Sequence, residues 1–372
     1  MADVRNQAGD MQNSDATITV LVAAYNGEAY IGEQLDSILA QSQGGIRILV
    51  SDDCSRDRTP EILRAYAARY PEQVAVICRE KPSGGAAAHF LGLLQEMARG
   101  GAGAAGPFDG APGNLGSTGS PGTAKSRGGG ASFGAPGLLD RLPHSDYFML
   151  SDQDDVWLPD KAEKLLARMR ELERERGADT PVLVHSDLAV VDEKLRVLAH
   201  SFFKYQKITP GRTKLPQLLV QNNVTGGAVM LNRAFLPLLG TLPQVCLMHD
   251  AWLALLASCF GAIGWVNEPL YLYRQHGKNT LGAEKGDNLE GVERRLKDGS
   301  EARENYRKMF GQAASLLELY PDRLTGEQKE ILRAFTGIPR LGRLGRMRTI
   351  LRYGFTKNTF LRTLGQMFMI GD

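Results

Sequence analysis

Runs of β-branched and apolar residues alternate, in the first third of the chain, with segments of helical hydrophobic spacing. The runs 17–24, 46–50 and 74–78 predict strands, and each is followed by apolar residues at helical intervals, the last set ending near Met97. Strands that are apolar on both faces are typical of parallel sheets covered by helices on both sides. The pattern therefore predicts an α/β fold with a mostly parallel central sheet.

The alternation continues in the second half of the chain. Residues 147–150, 181–187 and 189–192 predict further strands, and 160–176 predicts a charged amphipathic helix. The apolar stretch 251–266 contains two glycines and is shorter than the about 18 residues that a membrane-spanning helix needs. It predicts a buried helix that leads into a strand.

Between residues 100 and about 144 the pattern disappears, and Gly, Ala, Ser and Pro dominate. This composition buries too little apolar surface to offset the entropy of ordering, so we predict a disordered insertion. A functional lid is the alternative. The predicted domains are 17–283, which contains the insertion, and a helical, basic C-terminal region at 284–372.

An acidic loop, Ser151 to Trp157, directly follows the predicted strand 147–150. On extended backbone the side chains of Asp152 and Asp154 point to the same side. Two carboxylates placed in this way suit a hard divalent cation that keeps coordination positions open for phosphate oxygens. The alternative is an acidic loop that only caps the next helix.

Other polar residues follow strands in the same manner. Tyr25, Asp53, Gly84 and Asp154 each lie just beyond a predicted strand, and ligands of open α/β sheets bind outside the carboxyl ends of the strands. Asp53 has the alternative role of a helix cap or Asx-turn. A glycine pair in the polar loop 221–231 would let the backbone approach a ligand, or would form a turn before an edge strand.

Several segments, taken together and in order, resemble glycosyltransferase family 2, the inverting sugar-nucleotide-dependent enzymes of the GT-A fold. They are residues 22–27, 51–57, 151–157, 225–227, 249–250 and 273–277. The forms of 152–157 and 273–277 look most like bacterial rhamnosyltransferases that act on cell-surface polysaccharide. Two features depart from the family pattern: Cys54 stands where a glycine is common, and the glycine-rich insertion separates elements that usually lie closer.

The resemblance implies a site for a nucleotide-sugar donor and a divalent cation, Mn²⁺ or Mg²⁺. Asp154 would be a direct metal ligand, joined by Asp152 and His276, while Asp155 would be either a further ligand or a helix cap. His276 has the alternative of a surface turn. The residues implied to bind the donor are Ala24, Tyr25, Asn26, Asp53, Gly84, Asp152, Gln153, Gly226, Gly227, Trp252 and Arg274.

The resemblance also implies a catalytic base at Asp250, because family members carry an aspartate at this His-Asp step. An inverting transfer needs one base to deprotonate the acceptor hydroxyl as it attacks. Asp250 also lies at a predicted helix start, where the dipole favours the ionised carboxylate, but the same position suits a helix cap. Trp252 and Trp157 would stack on sugars or pack in the core, and Arg274 or His276 would contact the diphosphate.

The implied reaction moves a sugar, L-rhamnose from dTDP-rhamnose, to a hydroxyl of a cell-surface polysaccharide or a lipid-linked glycan. One alternative is a nucleotidyltransferase, but residues 23–26 do not form the Gly-rich, basic loop typical of that class. Another is a non-catalytic, membrane-associated glycan-binding or scaffold protein. The presence of Asp152, Asp154 and Asp250 together argues against that alternative.

Charge and cysteine content refine the expected location. The net charge of +2 gives no reason to expect nucleic acid as a partner, and the four cysteines have no metal-ligand spacing. The polar N-terminus shows no secretory signal, so we predict a cytoplasmic protein. Residues 331–362 contain eight basic and no acidic side chains among apolar ones, which predicts either contact with the inner face of the membrane or a packed helix with a solvated basic face.

Overall fold

The protein is described by a computed structural model for most of its length. The predicted domain boundary at 283/284, Gly277 and much of the predicted insertion lie outside the described residues. The structure describes residues 16–101, 132–135, 137–276 and 300–370.

One mixed sheet organises the described part of the chain, with the strand order β4-β3-β2-β1-β5-β9-β7-β10-β6 and β8 paired to β7. The long strands pair in parallel (β1 with β2 and β5, β2 with β3, β7 with β10), and every antiparallel pair involves a short strand. The predicted α/β class is confirmed. The strands are β1 (Ile18–Ala24), β2 (Ile46–Asp52), β3 (Val74–Cys78), β4 (Ser132–Phe133), β5 (Tyr147–Ser151), β6 (Val156–Trp157), β7 (Val182–Val191), β8 (Val197–Ala199), β9 (Met230–Asn232) and β10 (Ala262–Arg274).

Helices cover both faces of this sheet, as predicted. Alternate residues of β1 point to opposite faces, so Val20 packs with α1, α2 and α5, whereas Leu21 packs with α3, α8 and the C-terminal helices. The helices are α1 (Ile31–Leu39), α2 (Thr59–Arg69), α3 (Ala86–Gly101), α4 (Leu138–Arg141), α5 (Lys161–Arg176), α6 (Phe202–Tyr205), α7 (Leu215–Leu218), α8 (His249–Phe260), α9 (Ser300–Leu319), α10 (Gly326–Gly337), α11 (Arg343–Tyr353) and α12 (Phe360–Met369).

Two sequence predictions were wrong at the level of single elements. The end of the predicted insertion is ordered, because Phe133 pairs across to β3 and the apolar side chains of Leu138 and Leu142 are fully buried in the core. The strands predicted at 181–187 and 189–192 form the single long strand β7, which is buried along its whole length.

The C-terminal region is helical, as predicted, and it shares the core of the sheet domain. Leu316, Phe335, Ile350 and Phe355 are fully buried in the same cluster as Leu256 of α8. This segment is therefore part of the sheet domain's structure wherever it is described. None of the helices in the described ranges combines the length and hydrophobicity needed to cross a membrane.

Candidate active site

A cleft of about 1840 Å³ opens at the carboxyl ends of the parallel strands. It exceeds the roughly 300–1,000 Å³ of an ordinary small-molecule pocket, so it has room for two substrates. The predicted convergence is observed, since most of the predicted residues line this one cleft. Those residues are Ala24, Tyr25, Asn26, Asp53, Gly84, Asp152, Gln153, Asp154, Gly226, Asp250 and His276.

Gln153 ties the loop after β5 to the end of β1. Its Oε1 accepts a hydrogen bond from the Tyr25 backbone N–H at 2.7 Å, and its Nε2 donates to the Tyr25 carbonyl at 2.9 Å. The neighbouring Gly27 leaves room for this amide, because a Cβ there would lie 2.4 Å from Gln153 Oε1. The backbone of Tyr25 is thus fixed, while its ring is 55% exposed at the cleft wall.

The loop after β2 shapes the opposite wall. Both oxygens of Asp53 accept hydrogen bonds from Ser83, from its backbone N–H and from its hydroxyl, each at 2.7 Å. Asp53 therefore fixes the loop that carries Gly84, whose φ of +95° favours glycine. Cys54 also has a positive φ, +64°, which gives a physical reason why glycine is common there in the family that the sequence resembles.

Negative charge is concentrated where β5 ends. Burial, followed by the negative charges of Asp154 and Asp250, raises the pKa of Asp152 to about 7. Asp154 Oδ2 accepts a hydrogen bond from His276 Nε2 at 2.7 Å, and the His276 ring stacks on Tyr30 with centroids 5.0 Å apart. His276 is therefore held beside Asp154 and does not form a simple surface turn.

The same carboxylates meet the requirements of a hard divalent cation. In the ranges that the structure describes, no group of three or more His, Cys, Asp or Glu side chains forms a complete metal cage. Mg²⁺ commonly binds through one or two carboxylates plus substrate phosphates. Asp152 and Asp154 supply two such oxygen donors at the cleft wall.

Asp155 has neither of the two roles considered for it. It does not line the cleft, and α5 begins at Lys161 with Asp160 as its N-cap residue. The Asp155 side chain is instead buried, and its Oδ1 accepts a hydrogen bond from the Arg274 backbone N–H at 3.2 Å. Burial raises its pKa well above the usual range.

The predicted contact between Arg274 and the donor is wrong, because the structure uses this guanidinium for internal contacts. Its Nε donates to the Asp154 carbonyl at 2.8 Å, and its Nη1 donates to the Glu193 carbonyl at 2.7 Å. Nη2 pairs with Glu33, and the group lies over the Tyr30 ring. Arg274 is buried beneath the loop and holds the backbone at Asp154.

Trp252 and Gly227 are also absent from the cleft wall. Trp252 is fully buried on α8, 6.5 Å from the Tyr320 ring, so it packs in the core and cannot stack on a sugar. The Gly227 carbonyl accepts a hydrogen bond from the buried Lys161 Nζ at 2.6 Å. A Cβ on Gly227 would lie 3.3 Å from Asp152 Oδ2, so glycine there avoids crowding the carboxylate.

Asp250 lies in the first turn of α8, whose N-cap residue is Met248. Its Oδ2 accepts a hydrogen bond from the Gly226 backbone N–H at 3.1 Å, and its Oδ1 accepts one from Ala251 N–H at 2.7 Å. Burial raises its pKa to about 6, although these hydrogen bonds act in the opposite direction. The glycine turn that precedes the interior strand β9 thus fixes the position of the Asp250 carboxylate.

Sequence reasoning gave no role to three residues that lie in or beneath the site. Lys161 is fully buried beside Asp155 and Asp152, with its Nζ 3.6 Å from the centroid of the Trp157 ring. His89 and His249 line the cleft, and burial lowers their pKa values to about 4 and about 3. The only signal for Lys161 was a lysine close behind three aspartates, and nothing in the pattern marked the two histidines as a pair.

Comparison with known proteins supports a single family. Residues 19–96 match the family model described as glycosyl transferase family 2. The chain is 28% identical over 140 residues to the dTDP-rhamnosyl transferase RfbG of Shigella flexneri, covering 38% of this chain and 34% of the relative. It is 33% identical over 89 residues to the putative teichuronic acid biosynthesis glycosyltransferase TuaG of Bacillus subtilis, covering 24% and 35%. These matches span about a third of each relative.

Solved structures share the fold at low sequence identity. TarS of S. aureus, residues 1–349, superposes with a TM-score of 0.50 at 15% identity, covering 94% of this chain and 74% of that one. Its complex with UDP gives a TM-score of 0.50 at 16% identity, covering 88% and 73%. The matched family model places residues 19–96 in similarity to glycosyl transferase family 2, and the superposed structures together with the observed sheet order show that the chain has the GT-A fold.

Proposed function

We propose that this protein is an inverting glycosyltransferase that moves a sugar from a nucleotide-sugar donor to a hydroxyl group of a glycan. The observation that supports this most directly is the meeting of Asp152, Asp154 and Asp250, from distant parts of the sequence, in one cleft large enough for both substrates. Asp250 lies close enough to Asp152 for its charge to raise the pKa of that carboxyl group.

In this proposal the donor lies along the carboxyl ends of β1, β2 and β5. Tyr25, exposed on a fixed backbone, provides a surface on which the base stacks, and Asn26 and Asp53 complete the nucleotide side of the cleft. Asp152 and Asp154 would hold Mn²⁺ or Mg²⁺, with His276 orienting Asp154. The chemistry that such a cation would supply is screening of the charge on the departing diphosphate.

Asp250 acts as the base in the transfer step. Its carboxylate takes the proton of the acceptor hydroxyl as that oxygen forms a bond to the anomeric carbon and the bond to the diphosphate breaks on the opposite face. The hydrogen bond from Gly226 N–H fixes the direction of the carboxylate. A pKa of about 6 leaves the group ionised at neutral pH and basic enough to accept a proton.

We further propose L-rhamnose, donated by dTDP-rhamnose, as the transferred sugar. The partial similarity to a protein named as a dTDP-rhamnosyl transferase supports this choice, as do the rhamnosyltransferase-like forms of residues 152–157 and 273–277. The proposed acceptor is a cell-surface polysaccharide or its lipid-linked precursor, in keeping with the similarity to a teichuronic acid biosynthesis protein. We propose accordingly that the enzyme works in the cytoplasm, at the inner face of the membrane.

One assay tests this function against its rivals. The protein is incubated with Mn²⁺ or Mg²⁺, a glycan acceptor and a panel of sugar nucleotides, and the released phosphates are identified. We expect nucleoside diphosphate that depends on both the metal and the acceptor, with dTDP-rhamnose as the best donor. Pyrophosphate would indicate a nucleotidyltransferase, and no turnover with any donor would indicate a binding or scaffold protein.

A further inference from the structure

The last two helices of the chain expose apolar side chains to solvent on one continuous side each. On α11 the exposed residues Leu344, Met347 and Leu351 recur at intervals of three and four, which places them on one helix face. On α12 the corresponding residues are Phe360, Leu361, Leu364 and Phe368, and Phe360 is 80% exposed. Single exposed apolar residues are ordinary, but a stripe of them on each of two helices that pack together marks an interaction surface.

These faces are exposed even though the helices are anchored to the domain by their opposite sides. Ile350 of α11 and Phe355 after it are fully buried, and Gln366 of α12 donates from Nε2 to the Phe355 carbonyl at 2.9 Å. The exposed apolar face therefore belongs to helices that are packed against the core.

The charged side chains of α11 and α12 themselves are all basic. On α11, Arg343 lies on one side of the apolar stripe, and Arg348 and Arg352 lie on the other, with Arg352 3.9 Å from Glu330 of α10. Residues 331–370 contain no aspartate or glutamate. An apolar strip bordered by arginines matches the boundary between the headgroups and acyl chains of an anionic bilayer, where arginines meet lipid phosphates.

We propose that the exposed faces of α11 and α12 dock this protein on an anionic lipid bilayer. The apolar side chains of Leu344, Leu351, Phe360, Leu364 and Phe368 enter the interface, and the flanking arginines of α11 bind lipid phosphates. The surface charge favours a membrane over a second copy of the chain, since two such faces would bring arginines together without any carboxylate from this segment.

The segment between the two helices is joined to the wall of the cleft. Asn358 donates from Nδ2 to Asn223 Oδ1 at 2.6 Å, and its backbone N–H donates to Gln221 Oε1 at 2.8 Å. Gln221 and Asn223 both line the cleft. Docking through α11 and α12 would hold this wall near the membrane, which suits a lipid-linked acceptor. This last step rests on the proposed function, whereas the docking itself does not.

Vesicle co-sedimentation tests the apolar contribution. Wild-type protein should bind phosphatidylcholine vesicles that contain phosphatidylglycerol, and the triple variant Phe360→Ser, Leu364→Ser, Phe368→Ser should bind at least roughly tenfold more weakly. The matched control is Val197→Ser, Leu198→Ser, which removes two exposed apolar side chains of β8 and should bind like wild type. Equal binding by the triple variant, or no binding by wild type, would overturn the proposal.

The charge contribution is tested in the same assay. Arg343→Gln with Arg348→Gln should weaken binding roughly ten- to thirtyfold and remove much of its salt dependence, at about 1 kcal/mol per arginine near an anionic surface. The control Arg174→Gln with Arg176→Gln removes the same amount of charge from α5 and should have little effect on vesicle binding.

Light scattering tests the alternative occupant of this surface, a second copy of the chain. If the wild-type protein does not bind vesicles but forms a dimer that the triple variant cannot form, a second copy covers this face. Donor affinity in solution should stay unchanged in all variants, so a failure of docking is distinguishable from a failure of the proposed function.

Discussion

The carboxyl group of Asp250 titrates near physiological pH because its burial raises the pKa to about 6. A base must be unprotonated, so at saturating metal we expect kcat/KM to fall as the pH drops below about 6 and to level off above it. The variant Asp250→Asn keeps the size of the side chain but cannot take the proton. Its transfer rate should fall about 10²- to 10⁴-fold with donor affinity retained, as measured by steady-state kinetics and calorimetry.

The control for this experiment is Asp192→Asn. Asp192 lies outside the cleft lining, where its oxygens accept hydrogen bonds from Lys194 and Arg196 within its own turn. The Asp192→Asn variant should therefore keep both the wild-type transfer rate and the wild-type pH profile of kcat/KM. If Asp250→Asn turned over at the wild-type rate, Asp250 could not be the base, whatever the pH profile showed.

Asp154 allows a separate test of the metal site. The variant Asp154→Asn replaces a charged oxygen ligand with a neutral amide, so the metal concentration that half-saturates donor binding should rise about tenfold or more. Fluorescence titration of donor binding at increasing Mn²⁺ measures this, with Asp192→Asn again as the control. An unchanged titration would remove Asp154 from the set of metal ligands.

At the scale of single residues, the sequence revealed which positions lie near the cleft but not the direction of each side chain. Gln153 follows a strand and Asp250 lies in the first turn of a helix, and both line the cleft as expected. Arg274 and Trp252 stand in equally suggestive positions, yet one is turned beneath the loop and the other into the core. Side-chain direction at these positions depends on neighbours from remote segments, such as Glu33 and Tyr320, which no local pattern specifies.

At the scale of elements, the start of α5 supports the acidic loop from below. Lys161 is fully buried, donates to the Gly227 carbonyl and lies over the Trp157 and Tyr271 rings. Burial lowers its pKa, while the nearby carboxylates of Asp155 and Asp152 act in the opposite direction. Lys161→Met removes both the donor and the neighbouring positive charge. We expect it to lower the free energy of unfolding by about 3 kcal/mol in urea denaturation.

The matched control lies on the same helix. Lys164 makes ion pairs with Asp160 and Glu268, but its side chain is partly exposed, so Lys164→Met should cost less than about 1 kcal/mol. If both variants lowered the free energy of unfolding by the same amount, Lys161 would contribute only as an ordinary helix residue. A large loss confined to Lys161 would show that the loop and the glycine turn are held together by this lysine.

Elements with strong periodicity were predicted well, and those that depend on pairing were not. β3 and α5 begin and end within a residue of their predicted limits, because apolar spacing and a terminal Gly177 with a φ of +95° define them locally. The short strand β4 lies in a region whose composition predicts disorder. Its two residues, Ser132 and Phe133, are ordered by pairing with β3, and a pattern of two residues carries no periodic signal.

At the scale of the whole molecule, the C-terminal helices share the hydrophobic core on one face of the central sheet. Charge and helical periodicity identified the C-terminal region, but the sequence alone suggested an appendage. Phe335 of α10 packs against Phe310 and Phe355, within the cluster that includes the buried face of α8. Since α8 also carries Asp250, the stability of the C-terminal helices and that of the proposed site are linked through a common core.

This linkage predicts cooperative unfolding. Phe335→Ala leaves a cavity in the shared core and should lower the free energy of unfolding by about 3–5 kcal/mol, whereas Leu344→Ala, at a side chain 76% exposed, should change it by less than about 0.5 kcal/mol. Because Trp252 lies on α8 beside Tyr320, tryptophan fluorescence should follow the loss of helical circular dichroism in one shifted transition. Two separate transitions, with only the helical signal lost in the first, would instead show that the C-terminal helices unfold independently of the sheet.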